Sequence, residues 1–94
     1  MDASVIIPTY NRSKSLQEAL ISLSEQTWPA NCFEVIIIDD GSTDDTEDVA
    51  LTTYPFTLKY IRQRNQGSAI ARNRGAEEAS GDLLIFIDDD IHCK

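Results

Sequence analysis

Short apolar runs rich in β-branched residues alternate with stretches of helical spacing along the whole chain, and this alternation limits the fold more than any other feature. Residues 3–7, 33–38, 57–61 and 83–87 read as four strands. Pro8 should close the first, because proline cannot donate to a central ladder. The second is apolar enough after Glu34 to be buried on both faces, as parallel strands are. Between strands, Leu16, Ala19, Leu20 and Leu23 recur at the i, i+3, i+4, i+7 spacing of one helix face, and Ser15 with Glu18 has capping-box spacing near its start. That helix should end before Trp28 and Pro29. Ser42 and Thr43 read as the cap of a short second helix reaching about Thr52. Ser68 should cap a third, running to about Ala79, and its small residues Ala69, Ala71, Gly75, Ala76 and Ala79 predict close packing on a sheet. Gly81 reads as a left-handed stop just past its end. Strands and helices in this order, joined by right-handed crossovers, predict an α/β, Rossmann-like, doubly wound parallel sheet of about four strands with ligands at its carboxyl edge.

At 94 residues the chain is at most one small domain, and neither a repeat nor a linker divides residues 1–94. It stops soon after its most polar strand end, so it reads as cut at the C-terminus rather than completed. Its net charge of −8, sixteen acids against eight Lys and Arg, argues against nucleic-acid or anionic-membrane binding through bulk charge. Cys32 and Cys93 are too few for a disulfide framework or a zinc site, which points to a reducing, cytoplasmic setting. No apolar stretch approaches the roughly 20 residues that span a bilayer, so no membrane segment is expected here. Attachment to the cytoplasmic face of a membrane through other regions stays open.

Two of the strands end in carboxylates. Leu83 to Ile87 run into Asp88, Asp89 and Asp90, and Val35 to Ile38 run into Asp39, Asp40, Gly41 and Ser42. Hard divalent cations such as Mg²⁺ and Mn²⁺ take oxygen ligands, typically one or two carboxylates with substrate phosphates and water. Asp88 and Asp90 alternate on an extended segment and so share a direction; there, one could meet a ribose hydroxyl and the other a metal that bridges two phosphates. A plain solvated turn would also explain the triplet. Asp39 or Asp40 can accept a hydrogen bond from a base imide N–H, while the other caps the next helix or forms an Asx turn. Arg62, Arg64, Arg72 and Arg74 carry half of the positive charge. They can pair with a diphosphate or with the acids, or form a solvated face balanced by Glu77 and Glu78. His92 suggests no role.

The run Ser4-Val5-Ile6-Ile7-Pro8-Thr9-Tyr10-Asn11-Arg12, followed by Val35 to Ile38 with Asp39-Asp40-Gly41-Ser42-Thr43-Asp44, resembles the start of family 2 of the inverting, nucleotide-sugar-dependent glycosyltransferases. Asn65-Gln66-Gly67 with Ala71-Arg72-Asn73, and Gly81-Asp82 leading to Asp88-Asp89-Asp90, continue the resemblance in order and spacing over almost the whole chain. The resemblance implies the N-terminal, nucleotide-binding half of a GT-A domain, with a donor that is most simply a UDP-sugar. It implies that Pro8, Thr9 and Tyr10 line the nucleotide pocket together with Gly67, that Asp40, or else Asp39, meets the base, and that Arg72 supports the acid cluster. Asp88 would contact the ribose beside Asp89, and Asp90, with Asp88, the Mn²⁺ or Mg²⁺ ion. Members of the family commonly carry another acid after this motif, where this chain has Ile91. The general base and the pocket for the hydroxyl acceptor would lie in a second half that these residues lack, so no catalytic residue is expected among them. The parent protein is expected to transfer sugars, and the 94 residues alone to bind the donor at most.

Three alternatives compete. An acid triplet after an apolar strand also resembles the nucleophile motif of haloacid-dehalogenase-like phosphatases, which usually place it on their first strand rather than the fourth. A sugar nucleotidyltransferase would need a glycine-rich, basic loop after strand one, and none is present. A module that holds nucleotide or partner without turnover fits the short length. Apolar surface left uncovered by a missing half would also favour self-association.

Overall fold

The computed structural model describes residues 2–25 and 29–87. Four strands, β1 (Ala3–Thr9), β2 (Phe33–Asp39), β3 (Thr57–Arg62) and β4 (Leu83–Phe86), form one parallel sheet in the order β3-β2-β1-β4. The helices are α1 (Ser13–Ser24), α2 (Thr46–Ala50) and α3 (Ser68–Glu78), with a short 3₁₀ turn at Ala30–Cys32. After β1 the chain winds outward through β2 to β3, then returns across the sheet to place β4 on the other side of β1. The order therefore reverses at β1, the switch point where open α/β sheets form their binding crevices.

β1 and β2 are buried at every position, as the uninterrupted apolar runs predict. Their side chains alternate between two cores. Val5, Ile7, Val35 and Ile37 pack with Leu16 and Leu20 of α1 and Ala50 of α2, whereas Ile6, Ile36 and Ile38 pack with Ala71 of α3. Ile6, Ile36, Ile37 and Ile38 are wholly shielded from solvent, and burying each contributes about 1.5–3 kcal/mol. Leu16 and Leu20 take the inward face of α1 while Ile21 stays half exposed, which is the predicted stripe. β4 is less covered: Leu83, Leu84 and Phe86 are exposed.

Several local expectations are corrected. Pro8 lies inside β1, opposite Ile38, rather than ending it. The Thr9 carbonyl accepts from Asp40 on the β2 side and the Ile6 carbonyl from Ile87 on the β4 side, so Pro8, with the parity of Ile6, lacks its N–H only where paired β4 has ended. The Ser15–Glu18 capping box does not form. Helix α1 begins at Ser13, whose N–H donates to Oδ2 of Asp44 at 3.3 Å, so a carboxylate from the loop after β2 supplies the cap. The same carboxylate accepts from the Thr46 N–H at 3.0 Å and from the Thr46 hydroxyl through Oδ1. Helix α2 consequently starts at Thr46, four residues beyond Ser42. Gly81 is not left-handed: α3 ends on Ala79 in extended conformation, and the positive-φ glycines are Gly41 and Gly67. Trp28 lies outside the described residues.

Candidate functional site

β1 and β2 run in register to their last residues, Thr9 opposite Asp39, and β3 ends alongside with Arg62 opposite Asp39. The loops after all three strands therefore emerge at one edge. There a cleft of about 350 Å³ opens, lined by Pro8, Thr9, Tyr10, Arg12, Asp40, Asn65, Ser68 and Ala71, a size typical of small-ligand sites.

The alternation of β2 separates the two aspartates. Asp39 has the parity of Ile37 and turns toward the α1/α2 face, where it is fully buried. Its Oδ1 accepts from the Ser42 N–H at 2.8 Å and its Oδ2 from the Tyr60 hydroxyl at 2.5 Å, with an Arg62 guanidinium nitrogen at 3.6 Å. Burial and the hydrogen bond to the Asp39 carboxylate push the Tyr60 hydroxyl up to about 12, so it remains a donor. Arg62 also donates to the Ser42 carbonyl at 2.8 Å. Asp39 is thus part of the framework and does not line the cleft, in contrast to its inclusion among the nucleotide-contacting residues.

Asp40 has the parity of Ile38 and turns toward α3. Its Oδ1 accepts from Gln63 Nε2 and from the Gln66 N–H, both at 2.8 Å, and its Oδ2 from the Gly67 N–H at 2.9 Å. Its carbonyl accepts from Asn65 Nδ2 at 3.2 Å. Gly67 occupies the N-cap position of α3 with φ of +100° and has no side chain to cap with; Asp40 does the capping from 27 residues away and lies near the positive end of the helix dipole. Burial alone would raise its carboxyl, but the bonds from Gln63, Gln66 and Gly67 outweigh it and hold the group below the usual carboxylate range. With a single bond on Oδ2, the carboxylate keeps acceptor capacity.

Of the residues expected at the site, Pro8, Thr9, Tyr10 and Asp40 line the cleft, and Gly67 reaches it through its bond to Asp40. Arg72 is half-buried on α3, next to Ala71. Asp88, Asp89 and Asp90 lie outside the described residues. Among the described residues no group of three or more His, Cys, Asp or Glu is placed to hold a metal ion. Arg12, Asn65, Ser68 and Ala71 line the cleft without having been assigned to it. Gln63 was missed because its bond to Asp40 spans 23 residues of sequence. No helix among the described residues is long and apolar enough to cross a membrane.

Comparison with known proteins agrees with this architecture. The chain is 41% identical over 90 residues to glycosyltransferase AglE of Haloferax volcanii, covering 93% of this chain and 30% of AglE. It superposes on S. aureus TarS in complex with UDP-GlcNAc with a TM-score of 0.89 and 39% identity, over 96% of this chain and 27% of that one. The mannosyltransferase PcManGT of Pyrobaculum calidifontis, in complex with GDP-Man and Mn²⁺, matches with a TM-score of 0.86 and 31% identity, over 94% and 27% of the two chains. The chain therefore spans less than a third of the length of each of these proteins. Its sheet is the Rossmann-like α/β arrangement of the N-terminal part of GT-A glycosyltransferases. Residues 4–94 match the family described as glycosyl transferase family 2, and with the fold, the motifs and these relatives in agreement, the chain belongs to that family.

Proposed function

We propose that these residues form the nucleotide-binding half of a GT-A domain in an enzyme that moves a sugar from a UDP-sugar to an acceptor hydroxyl, with inversion and metal assistance. The observation that carries this reading is Asp40, an ionised acceptor held by Gln63, Gln66 and Gly67 in the wall of a cleft that also presents Tyr10. A carboxylate accepts but does not donate, so it suits the single imide N–H of uracil. Tyr10 is 46% exposed beside it and offers a ring face to the base. With a negative charge at Asp40, the base rather than the diphosphate is assigned to it, and the diphosphate is assigned to Arg72 and the divalent cation. TarS complexes with UDP and UDP-GlcNAc support a uridine donor.

Asp88 is assigned to the ribose beside Asp89, and Asp90 with Asp88 to Mn²⁺ or Mg²⁺, whose bound charge would stabilise the departing diphosphate. The general base and the acceptor pocket are assigned to parts of the protein beyond these residues.

Calorimetric titration with UDP, with and without Mn²⁺, tests the reading: metal-dependent binding is expected, and no binding under either condition would count against a preformed donor site. Tyr10→Ala should weaken UDP binding about tenfold or more, because aromatic stacking on a base contributes about 1–3 kcal/mol. Tyr10 is exposed, so its removal should leave thermal unfolding almost unchanged. Equal loss of affinity and stability would place Tyr10 in the framework instead.

A further inference from the structure

Asn11 does not line the cleft, yet it connects two of the loops that build it. It is the non-glycine residue with positive φ among those described, at +50°, in the left-handed region where asparagine is better tolerated than most residues. Its backbone N–H donates to the Ser42 hydroxyl at 2.8 Å. Its side-chain Oδ1 accepts from the Thr43 N–H at 2.7 Å and the Asp44 N–H at 3.3 Å, with the Thr43 hydroxyl at 3.4 Å. One residue thus makes contacts spanning 31 to 33 positions of sequence, and the residues on either side of it, Tyr10 and Arg12, are cleft residues. The loop it grips begins just after Asp40.

We propose that Asn11 is a positioning residue for nucleotide binding: its left-handed backbone and side-chain carbonyl clamp the loop after β1 to the loop after β2, and so hold Tyr10 and Arg12 in place against Asp40. This inference rests on the reading of the cleft as a nucleotide site. The left-handed turn is what carries Oδ1 back over residues 43 and 44. In the absence of the clamp the loop after β1 samples several arrangements, and binding must order it first, which lowers affinity without removing a ligand contact.

Three variants separate the clamp from the backbone conformation. Asn11→Gly keeps the left-handed turn and deletes the acceptor; UDP should bind on the order of tenfold more weakly. Asn11→Asp keeps both the turn and an acceptor and should restore affinity to within about threefold. Asn11→Ala loses both and should bind no better than Asn11→Gly. Amide hydrogen exchange, read on the same proteins without ligand, should be faster at Thr43 and Asp44 in Asn11→Gly than in wild type. Unchanged UDP affinity in Asn11→Gly while wild type binds overturns the proposal, and so does failure of Asn11→Asp to restore it. Unchanged exchange at Thr43 and Asp44 overturns the clamp whether or not UDP binds. Absence of UDP binding by wild type, with exchange accelerated in the variant, instead overturns the nucleotide reading and leaves the clamp supported.

Discussion

Alanine in place of Gly81 is expected to cost about 3 kcal/mol of folding stability, a large share of the roughly 5–15 kcal/mol available to a whole domain. A Cβ at this position would lie 2.4 Å from the carbonyl carbon of Ala3 and 2.7 Å from the backbone nitrogen of Ser4. These atoms belong to β1, which is paired on both sides, so they cannot swing aside as the end of a side chain would. The Gly81 N–H also donates to the Ser4 hydroxyl at 2.8 Å, which fixes the turn against the strand. Relief would have to come from moving the start of β4, which leads directly to Asp88, Asp89 and Asp90. Urea-induced unfolding of Gly81→Ala measures the loss. A change below about 0.5 kcal/mol would mean that the 79–82 segment relaxes freely and that the contact with β1 carries no weight.

Glu34→Ala is expected to destabilise the fold by about 2–4 kcal/mol, from unpaired donors and lost packing together. Glu34 is almost fully buried at the amino edge of the sheet. Its Oε2 accepts from the Ser4 hydroxyl at 2.6 Å and from the Ser80 N–H and hydroxyl at 2.7 and 2.8 Å, while Lys59 lies 3.6 Å from Oε1. Lys59 is partly exposed and keeps its hydration when the partner is removed. The cost therefore falls on the Ser4 and Ser80 donors.

The same carboxylate predicts a pH dependence. Burial by itself would raise its pKa, but the hydrogen bonds from Ser4 and Ser80 and the charge of Lys59 outweigh it and bring the group down to about 2 from 4.5. The unfolded chain thus takes up this proton more readily than the folded one. The stabilisation is fully present above about pH 4.5 and is lost as pH falls toward 2, a contribution on the order of 3 kcal/mol. Asp40 and Asp44, also held below their ordinary range, add to the same acid sensitivity. Glu34→Gln retains an acceptor for Ser4 and Ser80 but does not titrate. It should be less stable than wild type at pH 7, and the two should converge toward pH 2 in denaturation midpoints. Parallel pH profiles would show that Glu34 has the same proton affinity folded and unfolded.

Much of the fold was legible because its determinants are local. Continuous apolar runs at Val35–Ile38 and in β1 signal strands buried on both faces, and Leu16 with Leu20 signals one buried helix face. The helix starts were misread for two reasons. Asp44 caps α1 from the loop after β2 and Asp40 caps α3 from 27 residues away, so neither the Ser15–Glu18 spacing nor Ser68 marks the cap there. At α2 the cap is local but is supplied by Asp44, while the Ser42 hydroxyl accepts from the Asn11 N–H instead. Gly81 shows the same limit: its place after a helix suggests a left-handed stop, while the requirement for glycine comes from β1, nearly eighty residues earlier.

By itself the sequence determined the class of fold, the parallel sheet and the edge at which acids and loops collect, because periodicity and strand-end composition are properties of neighbours in the chain. The motifs in their order also carried the family. Only the tertiary structure decided which aspartate faces the cleft. Asp39 and Asp40 are adjacent and chemically identical, and a strand must turn them to opposite faces. With α1 and α2 packed on one face and α3 on the other, Asp39 meets Ser42 and Tyr60 and becomes framework, while Asp40 meets Gln63, Gln66 and Gly67 and borders the cleft. Apart from the local bond from Ser42, that choice depends on contacts between residues more than 20 positions apart, which no local pattern encodes.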